Sequence, residues 1–255
     1  MNRRATADPR LVVAIDGPGS SGKSSVGAAA ALELGYRFVD TGLLYRALTW
    51  LALARNVALD DAGRLVTLIS EVELAPDQQG RLDRVVVDGR DVTDEVHDAI
   101  VDEHVSEVAK VPGVRAAFLP VQRRLAEGGG IVMAGRDIGT VVLPEADLKI
   151  FLDASVEERA RRRAEERGLE SGSPEARWIL AELRRRDEID TNRPVAPLRP
   201  AADAHHVRTD GNTFAQTAAA VVDEIRAAEA EGGRSGRVRP KAADARVARR
   251  RPAAN

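Results

Sequence analysis

Eight residues near the start of the chain, Gly17-Pro18-Gly19-Ser20-Ser21-Gly22-Lys23-Ser24, follow the spacing G-x-x-x-x-G-K-[ST], and Ser25 extends the run. Small residues let backbone N–H groups curl around phosphate oxygens without Cβ clashes. An apolar stretch, Leu11 to Ile15, precedes the loop, and an Ala-rich stretch, Lys23 to Leu34, follows it. That order predicts strand, loop and helix, which aims the unpaired N–H groups and the dipole of the helix start at an anion. The chain has four lysines, Lys23, Lys110, Lys149 and Lys241, against dozens of arginines. A compact ammonium on a flexible stem suits a tight phosphate cradle better than a planar guanidinium. Lys23 therefore reads as a phosphate contact, and the Ser24 hydroxyl as a Mg²⁺ ligand. The expected ligand is a nucleoside triphosphate with Mg²⁺.

Three further groups carry charge suited to a second phosphate-bearing ligand. Asp40-Thr41-Gly42-Leu43-Leu44-Tyr45-Arg46 begins at the predicted carboxyl end of a strand, where open α/β sheets bind ligands. Gly135-Arg136-Asp137-Ile138-Gly139 follows another apolar run. Arg186, Asp187, Asp190 and Arg193 recur at three- and four-residue spacing, so several share one helical face. Taken alone, the last group could be an ordinary surface ion-pair cluster. Beside a phosphate loop, the three together describe a site with excess arginine. Phosphoryl transfer needs such a site, because charge spreads over the transferring group.

The elements that must position these residues alternate. Strands are expected over 11–15, 37–39, 131–134 and 148–152, with a last short one from Val207. Helices are expected over 23–34, stopped by Gly35, over 43–55 and over 213–230. This predicts an α/β fold with a central, mainly parallel sheet flanked by helices. Residues 72–88 break the alternation with two β-like runs around Gln79-Gly80, then an Asp88-Gly89 turn. They predict a small antiparallel β-bearing insertion with helical flanks near 60–70 and 95–110. A second, Arg- and Glu-dense insertion is expected around 159–173.

Composition sets outer bounds. The 255 residues are 44% hydrophobic and 31% charged, enough for one sizeable core. There is no cysteine, hence no disulfide or thiol nucleophile, and the four histidines make a His-rich metal site unexpected. No apolar run has the length of a membrane span, and the N-terminus lacks a signal-peptide core, so a cytoplasmic protein with no membrane partner is expected. Residues 232–255 carry eight basic residues against one acidic. That net +7 leaves −9 on residues 1–231 out of a total of −2. The tail has no apolar cluster and is expected to be a solvated, disordered extension. The acidic body makes nucleic acid an unexpected partner for the folded part, and a monomer is the default expectation. No N-K-x-D base-reading motif of a switch GTPase is present.

The stretches IDGPGSSGKSS, DTGLLYR, SEVAKVPGVR, GRDIGTVV, KIFLDAS-x-EERA-x-RR and RDEIDTNRPVAPL together resemble the bacterial cytidylate kinases, within the nucleoside monophosphate kinase family. The resemblance runs from about Leu11 to about Ala230. It implies a P-loop kinase fold over 11–231, after a flexible N-terminus of residues 1–10. It also implies a monophosphate-binding insertion over about 60–110 and a short lid over about 156–175. The implied reaction passes the γ-phosphate of ATP to CMP or dCMP, with Mg²⁺ accompanying ATP. Residues 17–25 would hold ATP. Arg46, Arg136 and Arg193 would hold the acceptor monophosphate, with Asp40 and Thr41 beside it. Ser106, Arg115 and Asp137 would read cytosine, and Arg186 and Asp190 would hold the sugar. Arg159, Arg162 and Arg163 would belong to the lid, and Lys23, Arg136, Arg193, Arg159 and Arg163 would form the catalytic set. Cytosine's N4 amino donor suits a carboxylate, and its N3 and O2 acceptors suit Arg or Ser. Thr41 stands where many relatives have Ser, which keeps the hydroxyl. The basic tail has no counterpart in the family pattern. Another acceptor such as UMP or AMP, a small-metabolite kinase on the same fold, and a nucleotide-dependent binding protein whose tail engages RNA are the alternatives.

Overall fold

The computed structural model describes residues 10–78 and 80–235. In chain order the first elements are β1 (Val12–Asp16), α1 (Lys23–Leu34), β2 (Arg37–Asp40) and α2 (Gly42–Ala54). Then come α3 (Ala62–Leu68), β3 (Val72–Pro76), β4 (Leu82–Val87), β5 (Arg90–Asp91), α4 (Ala99–Ala109) and α5 (Pro112–Leu125). The second half holds β6 (Ile131–Gly135), β7 (Leu148–Asp153), α6 (Val156–Glu166), α7 (Pro174–Asn192), β8 (His205–Arg208) and α8 (Phe214–Ser235).

All strands belong to one sheet of order β3-β4-β2-β6-β1-β7-β8, with β5 on β4. The run β2-β6-β1-β7-β8 is parallel throughout. The central strands β6, β1 and β7 read as mainly apolar runs because both faces are covered, whereas the edge strand β8 is largely exposed. Successive residues point to opposite faces. Val13, Ile15, Val132, Ala134, Ile150 and Leu152 pack with Val26 and Ala30 of α1 and Val221, Val222 and Ile225 of α8. Ala14, Val39, Ile131 and Met133 pack on the other face, with Leu44 and Leu48 of α2 and Val114 and Phe118 of α5. The α1–α8 layer and the α2–α5 layer thus clamp, from opposite faces, the strand that feeds the phosphate loop.

The antiparallel hairpin β3-β4 is joined to the central sheet, through the parallel pairing Val39↔Leu82. Val85 and Val87 bury into the same cluster as α2 and α4, which extends the core under the hairpin. Helix α5 departs from the sequence expectation, which ended its helical flank near 110. Pro112 starts that helix at a position that needs no N–H, and an internal Pro120 is tolerated. Helix α8 also continues past the expected tail boundary at 232, to Ser235, where a side chain at Gly232 would meet Leu11 at 4.0 Å. The rest of the expected tail, 236–255, and residues 1–9 of the expected N-terminal segment lie outside the described residues. No helix among the described residues is long and apolar enough to cross a membrane.

Candidate active site

The phosphate loop connects β1 to α1. Gly22 precedes α1 at φ 90°, a conformation that costs a side chain dearly. At Gly17 a Cβ would fall 2.1 Å from the Leu152 carbonyl oxygen, so β7 presses directly on the loop. Lys23 is buried, and its Nζ donates to the Pro18 carbonyl at 3.0 Å. Burial, then the charge of Arg136, holds the Lys23 ammonium well below its ordinary pKa, while Asp40 and Asp190 oppose that shift. A bound anion would offset that penalty and favour the ammonium form. The Ser24 hydroxyl donates to the Asp40 carboxylate, which also accepts from the Gly42 N–H at 2.8 Å. The start of α1 and the end of β2 meet at this pair.

One cavity opens from Gly19 and Lys23 past Asp40 and Arg46 to Ser106, Arg115, Asp137 and Arg193. Lys23, Arg46, Arg115, Arg136, Arg162, Arg163, Arg186 and Arg193 line it, against Asp40, Asp137, Glu166 and Asp190. Eight cationic groups facing four carboxylates make it a receptacle for anions.

At its deep end Arg115 Nη2 donates to Asp137 at 2.5 Å, and Arg193 Nη2 lies 3.4 Å from the other oxygen of that carboxylate. Arg115 Nη1 donates to the Ala109 carbonyl at 3.1 Å, its guanidinium sits 5.4 Å from the Tyr45 ring centre, and its buried Nε has no partner among the described residues. Ser106, on α4, is buried at the same wall. Nearer the loop, Arg136 Nε donates to Asp190 at 2.9 Å, and its Nη2 would lie 3.4 Å from a Cβ at Gly19. Arg46 Nη1 donates to the Val96 carbonyl at 3.0 Å. Arg186 is buried, its Nε has no partner among the described residues, and burial followed by Arg46 and Arg136 pushes its pKa down to about 10. Arg193 is lowered too, first by burial and then by Arg115. Burial would raise the Asp190 carboxyl, but Arg136, Arg193 and Arg186 together pull it below its ordinary value. Arginines crowded this closely favour an added negative charge.

The structure thus brings together the loop residues Gly19, Ser20 and Gly22 to Ser25 with all the expected acceptor-side residues, Thr41 included. The Thr41 hydroxyl is turned to the Ala134 carbonyl at 2.9 Å and joins β2 to β6. Arg162 and Arg163 of α6 also reach the cavity. Gly17, Pro18 and Ser21 are absent from its lining, as is Arg159. Arg159 is buried beneath the loop, where it donates to the Ala154 and Gly19 carbonyls at 3.0 Å each and to Asp187 at 2.5 Å. Four hydrogen bonds to Ala154, Gly19 and Asp187 occupy its guanidinium there, so it does not line the cavity that Arg162 and Arg163 reach.

Two carboxylates escaped sequence reasoning. Asp16 accepts from the Ile138 and Gly139 N–H groups at 2.7 Å each and fastens β1 to the turn that carries Arg136 and Asp137. Asp102 receives Arg46, Arg163 and Arg167. The available signals were a carboxylate closing the apolar run of β1 and an acid on the buried stripe of α4.

A family model described as cytidylate kinase matches residues 13–227. The chain belongs to the cytidylate kinase family. Similar relatives include a cytidylate kinase of Geobacillus thermodenitrificans (strain NG80-2), 47% identical over 218 residues that make up 85% of this chain and 96% of that protein. Another, from Geobacillus kaustophilus (strain HTA426), is 50% identical over 203 residues, 78% of this chain and 89% of that one. The span matched by the cytidylate kinase model contains every residue that lines the cavity.

Proposed function

We infer that this chain is an ATP-dependent phosphotransferase that converts CMP or dCMP to the diphosphate, leaving ADP. The observation that carries the reading is the single cavity whose cationic lining runs from the phosphate loop to the buried Arg115–Asp137 pair. Two phosphate-bearing ligands repel one another, and the excess arginine offsets that repulsion.

In this reading the loop over 17–25 cradles the ATP phosphates and Lys23 meets the terminal ones. Arg46, Arg136 and Arg193 hold the acceptor phosphate and aim one of its oxygens at the γ-phosphorus. The bond from that oxygen to phosphorus forms as the bond to the β–γ bridging oxygen breaks, and ADP departs with the electron pair. The nucleophile is already anionic, so no general base is needed. Asp137 accepts from the cytosine N4 amino group, and Arg115 and Ser106 serve N3 and O2. Uracil would set a carbonyl against the Asp137 carboxylate, a mismatch that such sites reject strongly. Arg186 and Asp190 hold the sugar. Helix α6 and the turn after it form a lid, from which Arg162 and Arg163 reach the transferring group while water is excluded. Arg159 acts from below, by fixing the Gly19 carbonyl.

The residues present fit a magnesium ion. Ser24 and Asp40 offer two hard oxygen donors beside the loop. Among the described residues no cluster of three or more His, Asp or Glu could hold a metal by itself, which suits an ion that arrives on ATP and keeps waters. Bound there, it would neutralise charge on the β and γ oxygens.

The test is ADP formation from ATP and Mg²⁺ with CMP, dCMP, UMP, AMP or GMP in turn. Rapid turnover confined to CMP and dCMP supports the reading. Turnover centred on another acceptor overturns the base-reading roles of Ser106, Arg115 and Asp137.

A further inference from the structure

Asp102 is buried on α4 and is absent from the cavity lining. Its carboxylate gathers guanidinium groups from three other helices. Oδ1 accepts from Arg46 Nη2 of α2 at 2.5 Å and lies 3.5 Å from Arg186 Nη1 of α7. Oδ2 accepts from Arg163 of α6 and, at 3.0 Å, from Arg167, the residue that ends α6. Arg163 also donates Nη1 to the Ser20 hydroxyl of the phosphate loop at 3.2 Å. A single carboxylate therefore ties α6 to the arginines of the acceptor side, and Arg163 carries the tie on to the loop. Burial would raise the Asp102 pKa, but Arg46, Arg163 and Arg186 outweigh it and hold the group below its ordinary value, so it stays ionised.

We propose that Asp102 is a positioning residue that docks the lid helix α6 onto the acceptor side of the cavity and so sets Arg163 between the phosphate loop and Arg46. The proposal rests on the phosphotransfer reading above. Four guanidinium groups this close repel one another, and without a counter-charge the two on α6 are the ones able to leave. A buried ion cluster that loses the carboxylate shared by these four arginines is left with uncompensated charge. Arg46 has a second anchor, the Val96 carbonyl, and keeps its place. The loss should fall on the closed, reacting complex more than on binding of the acceptor.

The experiment is steady-state kinetics of the full chain with ATP, Mg²⁺ and CMP, with circular dichroism on every variant. Asp102→Asn, which keeps shape and removes charge, is expected to lower kcat by about tenfold or more while KM for CMP stays within about threefold. Asp102→Glu is expected to recover most of kcat, which a role in mere packing would not give. Arg167 touches Asp102 from a side chain that is 33% exposed, and Arg167→Ala is expected to lower kcat roughly threefold or more with the fold intact. Combining it with Asp102→Asn should cost no more than about twofold beyond Asp102→Asn alone, because both act through one contact. A wild-type kcat in Asp102→Asn, a loss confined to KM, or full multiplication of the two single losses overturns the proposal. Should Asp102→Asn fail to fold, Arg167→Ala decides, and a kcat within about twofold of wild type overturns it. A wild-type chain that makes no CMP-dependent ADP sinks the phosphotransfer reading instead.

Discussion

Arg115 and Asp137 are paired at 2.5 Å with side chains 6% and 5% exposed, and the two come from α5 and from the turn after β6. Neither is spent wholly on the other. Arg115 keeps a buried Nε with no partner among the described residues, and Asp137 faces the cavity. Replacing the carboxylate by an amide keeps the shape, removes the charge and turns one of its two acceptor oxygens into a donor, which suits a uracil carbonyl better than cytosine's amino group. Asp137→Asn should lower kcat/KM for CMP by about 10²-fold or more and narrow the gap between CMP and UMP. Because a broken buried pair also destabilises, by about 3–5 kcal/mol, the kinetics should be read below the variant's own unfolding temperature.

Among the described residues Lys23 makes its one direct bond to a backbone carbonyl, and none of their carboxylates contacts its charge. Lys23→Ala should lower kcat by roughly 10²- to 10³-fold with little loss of thermal stability. Lys23→Arg should not restore turnover, since a fork-shaped guanidinium does not fit where a point charge fits. Retained activity in either variant would contradict the role given to this residue.

Burial raises the Asp16 carboxyl from an ordinary 3.8 to about 6, against the lowering effect of the Gly139 and Ile138 N–H groups. Between those two pH values the folded chain binds a proton that the unfolded chain does not. Stability from this group is therefore greatest below about 4 and falls as pH rises towards about 6, by on the order of 2–3 kcal/mol. Asp16→Asn lacks that titration. Urea unfolding of both proteins at about pH 4 and pH 7 should show the stability of the wild type relative to Asp16→Asn dropping by that order. A pH-independent difference would mean that Asp16 is charged throughout.

Gly17 has no room for a side chain, because the Leu152 carbonyl occupies the Cβ direction at 2.1 Å. Relief would require β7 and the loop to separate. Gly17→Ala should cost more than about 1–3 kcal/mol in thermal unfolding and weaken ATP binding measured by calorimetry. Gly128→Ala, strained by a φ of 83° but with open space around it and outside both the cavity and the lid, should leave ATP binding intact.

What could be read from the sequence was local. The phosphate loop is a contiguous run, and α1 with its Gly35 stop lies over the residues expected, as do the strand ends that carry Asp40 and Arg136. The two buried carboxylates could not be read, because their partners are distant in sequence. Asp16 binds amides 122 and 123 residues away, and Asp102 meets Arg46 and Arg163 from 56 and 61 residues off. Helix α5 holds Pro112 in its first turn and Pro120 inside, two residues that weaken a helical pattern in sequence although the first position tolerates proline. Arg159 illustrates a third limit. A helical Arg near the loop can point over a ligand or under it, and only the Asp187 partner on α7 decides which.

The most direct test follows the transferred group itself. ATP labelled with ¹⁸O in the γ-phosphoryl group is incubated with the full chain, Mg²⁺ and CMP, and the products are resolved by ³¹P NMR. The account predicts that the label appears in the β-phosphoryl group of CDP in step with ADP formation. Label released as inorganic phosphate, with CMP unchanged, would contradict it.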